Sequence, residues 1–200
     1  MTAQRNVLLL LANGFEIFEA SAFIDVMGWN RLEGDGSTIV TICGFQKEIK
    51  STFGVTLVAD ILVDDLDIDS YDALAIPGGF GEFHFYDQAY SDRFADVIKG
   101  FDERNKTIAS ICTGALPIGN SGVLKSRNGT TYNKNRVRQK ELRDFGVTVL
   151  DEPVVIDDNI ITSWNPSTAL DVAFSLLEKL TSKEQSDTIR NLMGCSSNEE

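Results

Sequence analysis

A chain of 200 residues, 42% hydrophobic and 24% charged, can bury a full core without disulfide or metal staples, and its length predicts one domain, residues 1–195, followed by a disordered tail at 196–200. Its formal net charge of −12 argues against nucleic-acid partners, which are held through clustered Lys and Arg; no apolar run reaches the length of a membrane span. Three cysteines without close spacing (Cys43, Cys112 and Cys195) and a single histidine, His84, argue against a disulfide framework, a zinc site or any other metal site.

Along the chain, strands and helices alternate, which predicts an α/β fold with a mostly parallel sheet and helices on both faces. Val7 to Ala12 is a continuous apolar run, as in a strand buried on both sides. Glu16 and Glu19 follow it without a small-residue cleavage pattern, so it reads as a core strand rather than a signal peptide, and a cytoplasmic location is expected. Ile17 to Leu32 reads as a helix, Thr38 to Gly44 as a strand, and Glu48 to Val58 as a small hairpin or an edge excursion around Phe53-Gly54. Asp72 to Ile76 is a buried strand closed by Pro77-Gly78-Gly79. Phe94, Val97, Ile98 and Phe101 give one apolar helix face. Thr107 to Ile111 reads as a strand, Thr113 to about Ser121 as a helix, and Asn135 to Phe145 as a more polar helix. Short strands are expected at Val147 to Leu150, Val154 to Ile156 and Ile160 to Ser163. An amphipathic helix through Leu170 to Leu180 follows Asn165-Pro166, and Thr181 with Glu184 has capping-box spacing for a last helix. The basic stretch Lys125 to Arg143 reads as a solvated face, Cys43 as strand core, Trp29 and Trp164 as packing residues, and Cys195 as a thiol in a polar tail.

Open parallel sheets carry ligand sites at the carboxyl ends of their strands. Three segments leave strands at that edge: Asn13 to Glu19, Pro77 to Gly81, and Ser110-Ile111-Cys112-Thr113-Gly114. They bring a carboxylate, a glycine-rich amide loop and a thiol to one edge. Cys112 lies where an apolar strand gives way to a helix, among small residues, which is the pattern of a nucleophile elbow. A free thiol with a pKa of about 8.5 is only a few per cent ionised at pH 7; a helix N-terminus and nearby donors lower it, and an activated Cys112 is expected to titrate near about 5–6. A buried, inert cysteine fits the same local pattern. Glu19 separates the two readings. As a carboxylate it would raise the thiol pKa by repulsion; as a neutral acid it would donate a hydrogen bond to the thiolate, and the two groups would titrate together. The neutral, hydrogen-bonded form is expected here, with Glu16 as the other candidate carboxylate.

The amides of Gly78 and Gly79, with that of Thr113, have the makings of an oxyanion hole; a tight turn after a strand explains Pro-Gly-Gly equally. Gly79 to His84 lacks the last glycine of a dinucleotide fingerprint, and no P-loop is present, so no cofactor is expected. Phe80 to Tyr86 is aromatic-rich, suited to a pocket rim, a subunit contact or core.

At these loops the chain resembles the ThiJ/PfpI superfamily, which shares the fold of class I glutamine amidotransferases. The resemblance lies in Leu11 to Glu16 with Glu19, Ala75-Ile76-Pro77-Gly78-Gly79, and Ala109 to Gly114. It continues in Gly122-Val123-Leu124, Gly129-Thr130-Thr131-Tyr132 and Ile161-Thr162-Ser163. It implies a flavodoxin-like three-layer sandwich and a nucleophile at Cys112 with Glu19 beside it. It also implies backbone amides of Gly79 and Thr113 at the reacting group, and a homodimer. Peptidase-type members have His directly after the cysteine, where this chain has Thr113. Some glyoxalase-like members have His where Tyr132 stands. Glutaminases have Gly at the position of Ser110 and a later His, and no histidine follows Cys112 here. A Cys–His pair would have only His84 to draw on. Cys-Thr-Gly is closer to the hydratase-like and regulator-like branches than to the peptidases.

The expected function is a cysteine-dependent hydrolase or lyase acting on a small electrophile, such as an α-oxoaldehyde or an isocyanide-like carbon. Expected pocket residues are Glu16, Gly78, Phe80, His84 and Tyr132 around Cys112, Glu19, Gly79 and Thr113. A redox-sensing stress protein without turnover, an intracellular peptidase or amidase, and a binding module with an inert cysteine remain the alternatives.

Overall fold

A computed structural model describes residues 3–195; the expected tail at 196–200 lies outside the described residues. In chain order the elements are β1 (Arg5–Leu11), α1 (Ile17–Glu33), β2 (Thr38–Gly44), β3 (Glu48–Lys50), β4 (Thr56–Val58), β5 (Ile61–Leu62), β6 (Ala73–Ile76), α2 (Phe85–Ala89), α3 (Asp92–Glu103), β7 (Thr107–Ser110), α4 (Ala115–Asn120), β8 (Asn128–Gly129), α5 (Arg136–Asp144), β9 (Thr148–Val149), β10 (Val154–Asp157), β11 (Ile160–Ser163), α6 (Ala169–Leu180) and α7 (Lys183–Leu192). Seven strands form one sheet in the order β10-β11-β7-β6-β1-β2-β5. Only the β10–β11 pair is antiparallel. The expected mostly parallel α/β sheet is observed.

The sequence pattern accounts for this layout. Val7 to Leu11 are buried throughout because β1 is central, with β2 and β6 on either side and helices above and below. Ala73 to Ile76 in β6 are buried for the same reason. The apolar stripe of α3 (Phe94, Val97, Ile98, Phe101) and that of α6 (Val172, Ala173, Phe174, Leu176, Leu177) both face the core, as the 3.6-residue period requires. The hairpin expected over Glu48 to Val58 forms as the antiparallel pair β3–β4, apart from the main sheet. The strand expected at Val147 to Leu150 shortens to β9, which pairs with β8 rather than joining the main sheet.

Several expectations need correction. Trp29 is 40% exposed, because it falls on the outward side of α1 rather than the side that packs on the sheet. Cys195 does not sit in a free tail: it packs against the core and its thiol donates to the Met193 carbonyl at 3.6 Å. The last helix is capped one residue later than expected. Ser182, not Thr181, accepts the Gln185 amide at 3.1 Å, while the Thr181 hydroxyl turns back to the Leu177 carbonyl. Gln185 is then free to bond the buried Asn30 side chain at 2.7 Å, which ties the start of α7 to the end of α1.

Ser182→Ala should cost about 1 kcal/mol of folding stability through loss of the cap, and Thr181→Ala about half of that or less. Urea-denaturation midpoints of the two variants check the assignment; the reverse order would return the cap to Thr181.

Candidate active site

Strand order creates the site. β6 lies between β1 and β7 in a parallel stack, so the loops leaving these three strands emerge side by side at one edge. They are stitched together by backbone bonds: the Glu16 amide donates to the Gly78 carbonyl at 2.8 Å, Phe80 to Gly14 at 3.1 Å, and Ile111 to Ile76 at 3.2 Å.

Cys112 has φ 57, a left-handed conformation that non-glycine residues adopt at a cost of order 1–3 kcal/mol. Surrounding bonds hold it there. The Thr131 hydroxyl donates to the Cys112 carbonyl at 2.9 Å, and the Gly114 amide to the Ile111 carbonyl at 2.8 Å. A Cβ on Gly114 would stand 2.6 Å from the Ile76 carbonyl oxygen, so the tight turn needs glycine. The expected helix from Thr113 begins instead as a 3-10 turn over Cys112–Gly114, with α4 starting at Ala115.

Glu19, in the first turn of α1, is fully buried. Its Oε2 accepts the Gly78 amide at 2.6 Å, while Oε1 is buried without a conventional hydrogen-bond partner. Burial dominates its acidity and pushes the carboxyl up to about 8, against the lowering by Gly78 and Cys112; the Glu16 charge pushes the same way as burial. A Cβ on Gly78 would meet Thr113 Oγ1 at 2.6 Å and Glu19 Oε2 at 3.0 Å. Gly78 therefore supports the site from behind and does not line its cavity as expected.

The Cys112 thiol is pushed well up, by burial first and then by the Glu19 charge; the hydrogen bond from the Thr113 amide works the other way. The expectation of a resting thiol titrating near 5–6 thus meets an opposing environment: a short helical turn cannot offset loss of water around the sulfur. Cys43, buried in β2 as expected, is likewise raised to about 12 by burial.

The Gly79 amide donates to Thr113 Oγ1 at 2.9 Å, and that hydroxyl donates to the Gly79 carbonyl at 2.9 Å. The amide expected to face a substrate oxygen is thus already paired. Tyr86, near the same hydroxyl, is raised to about 12, chiefly by burial.

These groups open onto a cavity of about 230 Å³, lined by Glu16, Glu19, Gly79, Phe80, Cys112, Thr113 and Tyr132 among others. Glu16 is also buried, which raises its carboxyl despite bonds from Phe18 and Thr52. His84 is not there. Its left-handed turn (φ 65) directs the ring to solvent, 79% exposed and 3.1 Å from Asp87, on the wall of a separate groove. The chain's one histidine is therefore unable to serve Cys112. Gly81, Glu82, Tyr86, Asn135, Arg138 and Pro166 complete the wall. Arg138 came from a stretch read as solvated, and Tyr86 from an aromatic run with three possible roles. Asn135 opens the polar helix expected over Asn135 to Phe145, but nothing local showed that its first turn faces the cavity. Among the described residues no group of three or more His, Cys, Asp or Glu side chains is arranged to hold a metal, and no helix is long and apolar enough to cross a membrane.

A model of the DJ-1/PfpI family matches residues 5–179. Protein DJ-1 homolog B of Arabidopsis thaliana is 31% identical over 180 residues, which is 90% of this chain but 39% of that protein. The chain thus spans about two fifths of that relative, and 46% of DJ-1 homolog A from the same plant. Deglycase PfpI of Pyrococcus furiosus is 29% identical over 161 residues, 80% of this chain and 90% of its own length. Among solved structures, Drosophila melanogaster DJ-1beta superposes with a TM-score of 0.85 at 24% identity, covering 97% of this chain and all of its own. Schizosaccharomyces pombe DJ-1 gives 0.78 at 27%, covering 94% of this chain and 98% of its own. Fold, loop order and family match agree with the resemblance seen in the sequence: this chain belongs to the DJ-1/PfpI family.

Proposed function

We propose that the protein is a cysteine-dependent enzyme for small electrophilic carbonyl compounds, with Cys112 as nucleophile and Glu19 as the group that moves protons. The observation that carries this reading is a strained cysteine opposite a fully buried carboxyl, at the floor of one small cavity. Strain of this kind concentrates at functional sites, and a carboxyl raised by burial is suited to proton transfer near neutral pH. The deglycase name of the Pyrococcus relative is in keeping with carbonyl chemistry.

For an α-oxoaldehyde the reacting form is the pair carrying one proton. Sulfur bonds to the aldehyde carbon, the C=O π electrons move to oxygen, and Glu19 passes the shared proton to that oxygen. The Thr113 amide lies beside the charge as it develops. Glu19, now a carboxylate, removes the hydrogen of the former aldehyde carbon as a proton, giving an enediolate; the hydroxyl proton passes from the first oxygen to the second, and Glu19 returns its proton to the neighbouring carbon as the first C=O re-forms. The result is a thioester of a 2-hydroxy acid. Water cleaves it, releasing the acid and the thiol. The oxidation of one carbon balances the reduction of the other, so no external oxidant is consumed.

Cys112→Ser should lower turnover of phenylglyoxal by about a hundredfold or more; unchanged turnover would remove Cys112 from the reaction. Wild-type turnover should climb with pH toward about 8, where Glu19 gives up its proton, and Glu19→Gln should lose turnover while keeping alkylation of Cys112 by iodoacetamide. Glu19→Leu should lose both.

Stability gives a separate check on Glu19. Its folded pKa of about 8 exceeds the ordinary carboxyl value of 4.5, so the folded state binds the extra proton, and stability falls as pH rises between these two values. Glu19→Gln does not carry this dependence. Its melting temperature relative to wild type should rise steadily from pH 5 to pH 8; a flat difference would mean that Glu19 is ionised in the folded protein.

A further inference from the structure

Arg138 is the only Lys, Arg or His among the described residues lining the Cys112 cavity. Two contacts orient its guanidinium. Nη1 donates to Glu141 Oε2 at 2.7 Å, and the group lies over the Tyr86 ring at 4.3 Å from its centroid. Glu141 is itself held, since its other oxygen accepts the Tyr90 hydroxyl. Stacking and a one-sided ion pair leave a planar fork facing a fixed direction. Nη2 lies 3.7 Å from where a Cβ on Gly81 would stand, against the cavity wall. Nε and Nη2 have no acceptor among the described residues, although the side chain is only 28% exposed. Half-buried cationic donors without partners favour an anionic acceptor over water.

Asn135 adds to this. Its Oδ1 is committed to the Val137 amide at 2.9 Å, and no acceptor for its Nδ2 is found among the described residues. Asn135 and Arg138 both line the cavity, so the N-terminal turn of the nine-residue helix α5 meets it with donors and with the positive end of its dipole.

We propose that Arg138, assisted by Asn135, anchors an anionic group of the substrate, and that the substrate is therefore a short carbonyl electrophile bearing a carboxylate. This rests on Cys112 being the reacting group. A cavity of about 230 Å³ lies below the range of about 300–1,000 Å³ typical of drug-sized ligands, which limits the distance between reacting carbon and carboxylate to a few bonds. The remaining carboxyls on the wall do not fill the same role in reverse: Glu16 and Glu19 are buried, which favours their neutral forms, and Glu82 is exposed at the rim. Arg138 is thus a specificity-determining residue, and a purely structural tie between α5 and α2 would leave anion preference untouched.

The test compares alkylation of Cys112 by iodoacetate and by iodoacetamide, which differ in charge but little in shape, with peptide mapping by mass spectrometry. The iodoacetate-to-iodoacetamide rate ratio at Cys112 should fall about tenfold in Arg138→Gln and recover partly in Arg138→Lys, whereas the ratio at Cys195 should not move. An unchanged iodoacetamide rate shows that the cavity is intact. A ratio that does not respond to Arg138→Gln overturns the anchor while leaving Cys112 as a reactive thiol. Binding is read independently of the thiol with lactate and its neutral isostere lactamide. Lactate should raise the melting temperature of wild type more than lactamide does, and Arg138→Gln should abolish that difference; equal shifts from the two compounds in wild type overturn the anchor. Loss of turnover in the family of substrates above, with this binding difference intact, would instead count against the catalytic reading alone.

Discussion

A carboxyl group shut away from water either finds donors or keeps its proton, and Glu19 is held in a place where one donor, the Gly78 amide, is all that the backbone supplies. The remainder of the site follows from that. Burial raises the acid, and on the function proposed above the protonated form is the one that does not repel a sulfur anion at Cys112. Neither group has a meaningful acidity by itself, because each sets the environment of the other.

Close packing makes that arrangement possible. Gly78 and Gly114 have no room for a side chain, and their absence of Cβ atoms lets the loop after β6 lie against both the elbow after β7 and the first turn of α1. Backbone contact at this range fixes the carboxyl relative to the sulfur without a long flexible connection. Thr113 completes the clamp, since its one hydroxyl both accepts from and donates to Gly79. The amide of Gly79 is thereby taken up in building the site, and Thr113 is left as the amide beside the sulfur.

The wall opposite these loops is built differently. It comes from α5 and the short helix α2, with Arg138 clamped between Tyr86 and Glu141. The loops that hold the thiol and the acid leave β1, β6 and β7, whereas this wall comes from helices outside the sheet; fold alone does not set what such a wall accepts.

The strand-to-loop segments carrying Glu19, Gly78 and Cys112 were legible in the sequence because their signals are local: a two-sided apolar run such as Val7 to Leu11 announces a buried parallel strand, and small residues after a strand announce a sharp turn. The order of these elements then placed the three loops at one edge. Other features depend on neighbours distant in the chain. Whether His84 turned inward, whether the Gly79 amide stayed open, whether burial or the helix end governed the Cys112 thiol, and whether Arg138 faced solvent or the cavity are settled by packing between β6, α2, α4 and α5. The sequence by itself determined the α/β architecture and the convergence of Glu19, Gly78 and Cys112 at one sheet edge, since both follow from hydrophobic period and the order of the strands. Only the tertiary structure decided in which direction burial shifts the acidities of Glu19 and Cys112 and which residues form the opposite wall, because desolvation and long-range contact have no local signature.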